Sequence, residues 1–191
     1  MSKNIVVVSN NQGKIVEFKN ILKDFNVYSL KDLNIDIDVE ETGLTFEENA
    51  ILKVNALKDE YDYVIADDSG LEIVALDNQP GIYSHRFLGE DTPYSEKNPL
   101  VLDLMKDKTD RRAKFTSVIA LAEFGEVKLF KGIIEGEISE AMAGTNGFGY
   151  NPIFYIPEYK QTMAEISDEI KNQVSHRALA IKQLEEYLLS E

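Results

Sequence analysis

The chain has 191 residues, with 20 Lys and Arg against 34 Asp and Glu, which gives a formal net charge of −14 when histidine is neutral. Hydrophobic residues make up 43% and charged residues 28%, which is ordinary for a soluble globular chain, and the length fits one domain. The longest apolar runs, such as Ile5–Val8, are far below the ~20 residues that span a bilayer, and the lack of cysteine excludes disulfides, cysteine-bound metals and thiol catalysis.

The first predicted unit is a strand, a polar turn and a helix. Ile5–Val8 has the composition of a buried strand, and Ser9–Gly13 is a polar turn. The helix is predicted from about Lys14, and its buried face is formed by Ile15, Phe18, Ile21 and Leu22. Backbone amides at a helix start attract anions, and Lys14 would add a full charge beside them. The turn is therefore either a phosphate site, although not a Walker A loop, or a solvated turn with a surface lysine.

A second helix is predicted after a capping box. In Thr45-Phe46-Glu47-Glu48, a hydroxyl and a carboxylate can satisfy free backbone donors at a helix start. Asn49 and Lys53 are four residues apart and share one face of this helix. A different, buried stripe is formed by Phe46, Ala50, Val54, Leu57 and Tyr61.

Two acidic pairs flank this helix. Glu40-Glu41 precedes it, and Asp67-Asp68 follows the predicted strand Tyr63–Ala66. Carboxylates at the ends of loops and strands can hold Mg²⁺, and one of them can take a proton from an attacking water. Acidic residues also commonly cap helices or lie in turns. The spacing alone leaves metal binding and capping both open.

The remaining pattern completes an α/β prediction. Leu71–Leu76 is predicted as a strand, and Phe115–Ala122 and Val127–Ile138 as long antiparallel strands joined by a tight turn at residues 124–126. Ser167 and Ser175 are predicted helix caps. The last helix would bury Ala178, Ile181, Leu184 and Leu188. These elements predict a mixed β-sheet flanked by helices, with a cleft.

Two late segments carry groups that could bind a ligand. In Gly147-Phe148-Gly149-Tyr150-Asn151-Pro152, the glycines would let a ligand approach the backbone and Phe148 could stack on a flat base. The alternative is a glycine turn with Phe148 in the core. Lys171 and His176-Arg177 supply hydrogen-bond donors, and a break near Ser175 would let Lys171 fold back towards the helix start. The alternative is that these are surface groups.

The joint order of these motifs is more specific than any one of them. The segments SNNQGK with Glu17 following, EETGLTFEENAILK, ADDSGLEIVAL, PGIYS, FTSVIAL, GFGYNPIF and EIKNQVSHRALA occur in sequence from about Val6 to Leu184. The chain resembles the inosine triphosphatase family, which hydrolyses non-standard purine nucleotides such as dITP, ITP and XTP to the monophosphate and pyrophosphate. The resemblance implies one two-lobed domain over residues 1–191, with an elongated mixed sheet and a central cleft, usually as a homodimer.

The resemblance also assigns residues. It implies a Mg²⁺ cofactor on Glu40 and Asp68, and it makes Asp68 the catalytic proton acceptor. Lys53 is similar to a family lysine near the triphosphate. The implied phosphate-binding turn is Ser9, Asn10, Asn11, Gln12, Gly13 and Lys14. The other implied substrate contacts are Ser69 and, for the base, Phe148, Gly149, Tyr150, Asn151, Lys171, His176 and Arg177.

Three departures from the family pattern affect base selectivity. Asn151 stands where Asp is usual, Met142-Ala143 where Pro-Arg is common, and His85 where a small residue is usual. The acidic charge argues against a nucleic-acid partner, whose binding depends on Lys and Arg. The expected partner is a small purine nucleoside triphosphate. We expect no membrane association and a cytoplasmic location. The alternatives are a related hydrolase that releases orthophosphate and a non-catalytic nucleotide sensor.

Overall fold

A mixed β-sheet with flanking helices forms the part of the chain that the structure, a computed structural model, describes, namely residues 3–190. The strands are β1 (Asn4–Val7), β2 (Asn26–Ser29), β3 (Tyr63–Ile73), β4 (Gln79–Pro80), β5 (Arg112–Glu123), β6 (Glu126–Ile138), β7 (Phe154–Ile156) and β8 (Gln161–Thr162). The α-helices are α1 (Gln12–Ile21), α2 (Phe46–Asn55), α3 (Tyr94–Leu104), α4 (Asp168–Val174) and α5 (His176–Ser190). The predicted α/β class is confirmed.

The sheet combines parallel and antiparallel pairs. Its order is β2-β1-β3-β5-β6-β7-β8, with β4 paired to β3. β1 runs parallel to both β2 and β3, with Val7 opposite Ser29 on one side and Ile65 on the other. β4, β7 and β8 form antiparallel pairs with their neighbours β3, β6 and β7. The parallel pair β1 and β2 is connected through α1, as a parallel connection requires.

The first turn is shorter than the sequence predicts. β1 ends at Val7, and α1 begins at Gln12 rather than about Lys14. Asn11 is the N-cap, because its side-chain oxygen accepts a hydrogen bond from the backbone N–H of Lys14 at 3.1 Å. Lys14 therefore lies within the first turn of α1.

The largest difference from the predicted elements is in β3. This strand runs unbroken from Tyr63 to Ile73, so Asp67 and Asp68 lie inside it rather than at its end. The separate strand predicted over Leu71–Leu76 is wrong, since Val74–Leu76 is a 3₁₀ turn. Within β3, position 70 has room only for glycine, because a Cβ there would collide with the carbonyl oxygen of Gly81 and the Ser84 hydroxyl.

The predicted cap and hairpin are present. The Thr45 hydroxyl accepts from the N–H of Glu48 at 3.1 Å, although the Glu48 carboxylate accepts from Leu44 rather than from Thr45. α2 ends at Asn55, so the predicted helical stripe stops short of Leu57 and Tyr61. β5 and β6 are joined through Phe124-Gly125, both with positive φ, of 46° and 85°.

The C-terminal helices are as predicted, but α3 is not. Ser167 caps α4, and Ser175 is extended between α4 and α5, which is the predicted break. The predicted apolar positions of α5 are all buried. α3 was not predicted because it contains Pro99, and proline normally disfavours a helix interior.

The described chain divides into two compact units. Unit 1 contains residues 3–68, 117–132 and 176–190, and its core is formed by apolar side chains of β1, α1, α5 and the adjoining strands. Unit 2 contains residues 69–116 and 133–175, with its own core. Among residues 3–190, none of the helices has the length and apolar character needed to cross a membrane. The predicted cleft stays a prediction.

Candidate active site

In unit 1, Asp67 lies at the centre of a buried group of charges. Its Oδ2 lies 2.6 Å from Lys14 Nζ and accepts from Arg177 Nε and Nη2, both at 3.3 Å. Its Oδ1 accepts a hydrogen bond from the Ser117 hydroxyl. Burial opposes ionisation, but Arg177 and Lys14 hold the pKa of Asp67 far below its usual range. Asp67 is therefore a carboxylate at every pH at which the protein would work.

Arg177 joins this group to α1. Its Nη1 lies 2.5 Å from Glu17 Oε2, and its side chain is almost fully buried. Glu17 lies three residues, or nearly one helical turn, after Lys14 on α1. Neither Glu17 nor Ser117 is assigned a function by the sequence. The spacing of Glu17 from Lys14 was a usable signal, whereas nothing in the apolar strand around Ser117 distinguishes that residue.

Asp68 belongs to a second group of side chains. Successive residues of a strand point to opposite faces, so Asp68 points away from the partners of Asp67. Its Oδ2 accepts a hydrogen bond from Asn49 Nδ2 at 3.1 Å, and its Oδ1 lies 3.5 Å from Lys53 Nζ. Lys53 also lies 2.5 Å from Glu41 Oε1. The α2 face shared by Asn49 and Lys53 thus faces Asp68.

The two groups meet at the backbone of Asp67. Its carbonyl oxygen accepts a hydrogen bond from Lys53 Nζ at 3.1 Å and from Lys14 Nζ at 3.5 Å. The predicted helix-start lysine is therefore not a surface group. Burial lowers the pKa of Lys14, and the neighbouring cations Lys53 and Arg177 lower it further, while Asp67 opposes both.

The environment of Asp68 favours proton uptake. Burial raises the pKa of Asp68; Lys53 opposes this, and the nearby Glu41 carboxylate adds to it. Burial lowers the pKa of Lys53, but attraction by Asp68 and Glu41 outweighs burial and raises it. A buried carboxylate with a raised pKa is a better proton acceptor than an ordinary exposed one.

The carboxylates around Asp68 are suitable ligands for a hard cation. The Glu41 carboxylate adds to the cost of ionising Asp68, and a bound divalent cation would reduce that cost. Carboxylate oxygens are the ligands that Mg²⁺ prefers. Glu40, the residue assigned to the metal from the sequence, is exposed next to Glu41. Within residues 3–190, no three His, Cys, Asp or Glu side chains are already gathered as a metal site.

The turn before α1 is held by its own polar side chains. The Ser9 hydroxyl accepts from the N–H of Asn11 at 3.1 Å, and Asn10 Nδ2 donates to the carbonyl of Ile37 at 3.2 Å. Gln12 is exposed and Gly13 half-buried. The turn therefore leads directly into the helix start that carries Lys14.

His176 opens α5 beside β6. Gly132 allows this approach, because a Cβ there would collide with the backbone carbonyl of His176 and the N–H of Ala180. Burial and the neighbouring Arg177 lower the pKa of His176 to about 3. His176 is therefore a neutral imidazole at neutral pH, buried rather than on the surface.

This buried histidine predicts a pH dependence of stability. Between its unfolded pKa of about 6.5 and its folded pKa of about 3, the unfolded state binds the extra proton, so the free energy of unfolding falls as pH falls. From about pH 7.5 to about pH 5.5, we expect His176 to account for a loss of about 1 kcal/mol. Urea unfolding at both pH values should show this loss in the wild type and a smaller one in His176→Gln. Exposed His85→Gln is the control, and an equal loss in all three proteins would refute the assignment.

In unit 2, the loop Phe148–Asn151 is anchored by its tyrosine. Tyr150 is buried in the core, and its hydroxyl donates to the carbonyl of Ser84 at 2.8 Å. Phe148 is half-buried, and its stacking on a base stays a prediction beside the alternative that it packs in the core. Gly149 has a φ of +69°, which favours glycine.

Asn151 and Lys171 cover the glycine that opens this loop. A Cβ at Gly147 would collide with the Asn151 amide and lie 3.4 Å from Lys171 Nζ. Lys171 is buried, and its ammonium lies 3.5 Å from Asp168 Oδ1. Ser69, on β3 directly after Asp68, is half-buried. Unit 2 thus brings together Phe148–Asn151 and Lys171, and their role in binding a base stays a prediction.

Solved structures of high similarity define the class of this fold. The Ham1 protein of Staphylococcus aureus superposes with a TM-score of 0.88 at 50% identity, covering 98% of this chain and 99% of that one. A Ham1 protein from Coxiella burnetii gives a TM-score of 0.89 at 39% identity, with all of both chains covered.

The sequence comparisons agree with the fold. The profile of the Ham1 family matches residues 5–187, and the chain belongs to this family. A dITP/XTP pyrophosphatase of S. aureus (strain MRSA252) is 51% identical over 97% of this chain and 96% of its own length. The resemblance identified from the ordered motifs is thereby confirmed.

Proposed function

We propose that this protein hydrolyses non-standard purine nucleoside triphosphates, such as dITP and XTP, to the nucleoside monophosphate and pyrophosphate. The single observation that carries the proposal is the buried Asp68 carboxylate, which contacts Asn49 and Lys53. It occurs in a chain that is 51% identical in sequence to a dITP/XTP pyrophosphatase. A protein that only bound nucleotide would have no need of a buried proton acceptor beside two lysines. The enzyme is therefore favoured over a nucleotide sensor.

Asp68 is the proposed general base. It would accept a proton from the water that attacks the α-phosphorus, as the bond to the bridging oxygen of pyrophosphate breaks. Charge develops on the phosphoryl oxygens and on the leaving pyrophosphate. Lys14 and Lys53, both on helices of unit 1, would stabilise that charge.

A magnesium ion is part of this proposal. Asp68 would hold the ion together with two glutamates. Glu40 is implied by the family resemblance, and Glu41 is indicated by its contact with Lys53, which also contacts Asp68. When bound, Mg²⁺ neutralises phosphate charge and orients the phosphates. Supporting it are the donor types, all carboxylate oxygens, and the burial of Asp68. A homodimer and a cytoplasmic location stay predictions.

Base recognition is assigned to the remaining side chains. Phe148 would stack on the purine, and Lys171, His176 and Arg177 would donate to the 6-keto oxygen. Arg177 already donates to Asp67 and Glu17, which fixes its guanidinium before a nucleotide arrives. A fixed donor discriminates well, because it cannot turn away from a mismatched group.

The products on dITP test the proposed reaction. With Mg²⁺ present, we expect dIMP and pyrophosphate in equal amounts as the first products, because attack is proposed at the α-phosphorus. Phosphorus NMR of a single time course separates pyrophosphate from orthophosphate. Primary release of orthophosphate and a diphosphate would favour the related hydrolase instead.

ATP serves as the matched substrate control. The 6-amino group of ATP is a hydrogen-bond donor, and it would face the donors of Lys171, His176 and Arg177. Leaving a buried donor unpaired reduces kcat/KM by roughly 5- to 150-fold. Equal kcat/KM for ATP and dITP would contradict base recognition by these donors. GTP is not excluded by these donors, because its 6-keto group is the same.

A further inference from the structure

Helix α3 contacts the loop Phe148–Asn151 through one buried amide. Asn98 is 1% exposed, and its Nδ2 donates a hydrogen bond to the carbonyl oxygen of Gly149 at 3.1 Å. This carbonyl belongs to the peptide that joins Gly149 to Tyr150. Neither the sequence motifs nor the proposed chemistry uses Asn98.

The other polar atom of Asn98 indicates why it is there. Its Oδ1 is buried and accepts no hydrogen bond from any of residues 3–190. A buried acceptor without a partner destabilises the fold, and an apolar side chain of similar size would avoid that penalty. Stability alone therefore does not explain an asparagine at this position. The Asn98 amide supplies one thing that an apolar side chain cannot, namely the hydrogen bond to the Gly149 carbonyl.

The same helix holds the next residue of the loop. Tyr94, one turn before Asn98, packs edge-on against Tyr150 with ring centroids 5.0 Å apart. Tyr150 is fixed in turn by its hydrogen bond to the Ser84 carbonyl. The Tyr150 side chain is thus held by packing, whereas the Gly149 peptide, at a φ of +69°, depends on Asn98. Glycine is the residue most able to move away from such a conformation.

We propose that Asn98 is a positioning residue for base binding: by fixing the Gly149 peptide, it keeps Phe148 in the orientation that stacks on the purine. This inference rests on the proposed function. It assigns Asn98 no contact with the nucleotide and no part in proton transfer. Its removal should therefore affect binding of the base rather than the chemical step.

The test compares Asn98→Leu with the wild type on dITP. Leucine has nearly the shape of asparagine but cannot donate to Gly149. We expect KM to rise about 3- to 10-fold, the change expected for one lost hydrogen bond, with kcat within about twofold. The melting temperature should stay within a few degrees of the wild type, because removal of the unpaired Oδ1 offsets the loss of the donor to the Gly149 carbonyl. Inhibition by pyrophosphate, which has no base, should be unchanged.

Val101→Ala is the matched control on the same helix. Val101 is fully buried in the core of unit 2. Its side chain is apolar and cannot form a hydrogen bond with the loop. This variant should lower the melting temperature and leave KM for dITP unchanged. A KM rise in Val101→Ala as large as in Asn98→Leu would mean that any weakening of α3 has this effect, and would overturn the inference.

The remaining outcomes separate the inference from the function on which it rests. An active wild type with unchanged KM in Asn98→Leu refutes positioning by Asn98 and leaves the proposed function intact. Equal weakening of dITP and pyrophosphate also refutes it, because the effect would not be on the base. A wild type that does not hydrolyse dITP refutes the proposed function itself, and the inference with it.

Discussion

Replacing Asp68 with asparagine is expected to lower kcat for dITP by about 100- to 10,000-fold, the range associated with losing a general base. The amide keeps the size of the side chain and can still accept the hydrogen bond from Asn49. It lacks the basic oxygen that would take a proton and the charge that attracts Lys53 and a metal ion. Steady-state kinetics at saturating Mg²⁺ measure the effect.

Folding of the Asp68→Asn protein must be checked beside its activity. A melting curve close to that of the wild type shows that the lost rate is not lost structure. A folded variant with kcat within about threefold of the wild type would remove Asp68 from the proposed mechanism, since no general base is that dispensable. Asp67 would then be the next candidate for the general base.

Replacing Asp67 with asparagine is expected to affect stability most. The change leaves Lys14 and Arg177 buried without their shared carboxylate, although Glu17 still lies 2.5 Å from Arg177 Nη1. Breaking a buried ion pair in this way costs about 3–5 kcal/mol, which lowers the melting temperature by about 6–20 °C for a chain of this size. Differential scanning calorimetry measures both quantities.

An exposed ion pair provides the control for Asp67. Asp32 lies 2.7 Å from Lys19, and both side chains are about two-fifths exposed. Solvent screens such an exposed pair, so Asp32→Asn should melt within a few degrees of the wild type. If Asp67→Asn and Asp32→Asn are equally stable, the buried charges around Asp67 do not stabilise the fold.

These two adjacent residues are separated by the geometry of one strand. Because β3 is continuous, Asp67 and Asp68 point to opposite faces and reach different partners. The expected results differ accordingly: Asp68→Asn loses activity while folded, and Asp67→Asn loses stability. Their spacing, as one acidic pair, does not distinguish them, and only the family resemblance assigned the proton acceptor to Asp68.

Local patterns carried most of the fold prediction. The cap at Thr45, the break at Ser175 and the long hairpin of β5 and β6 follow from signals within a few residues, and all are present. The misjudged elements depend on distant contacts. β3 continues past Asp68 through Gly70, where the close approach of Gly81 and Ser84 leaves no room for a side chain.

The site was predictable to a similar extent. Asn49 and Lys53 share a helix face, as their spacing indicates, and both reach Asp68. The partners of Arg177 were not predictable, because Glu17 and Asp67 are 160 and 110 residues away along the chain. Asn98 lies on α3, a helix that was not predicted because it contains Pro99. The contacts that orient the proposed binding groups are thus the ones that no local spacing reveals.

The position of attack is the most direct test of the account. When dITP is hydrolysed in water enriched in ¹⁸O, attack at the α-phosphorus incorporates one labelled oxygen into dIMP and none into pyrophosphate. Mass spectrometry of both products from a single turnover reads the label. We expect the label in dIMP alone; label in pyrophosphate or in orthophosphate would show attack at another phosphorus and contradict the proposed reaction.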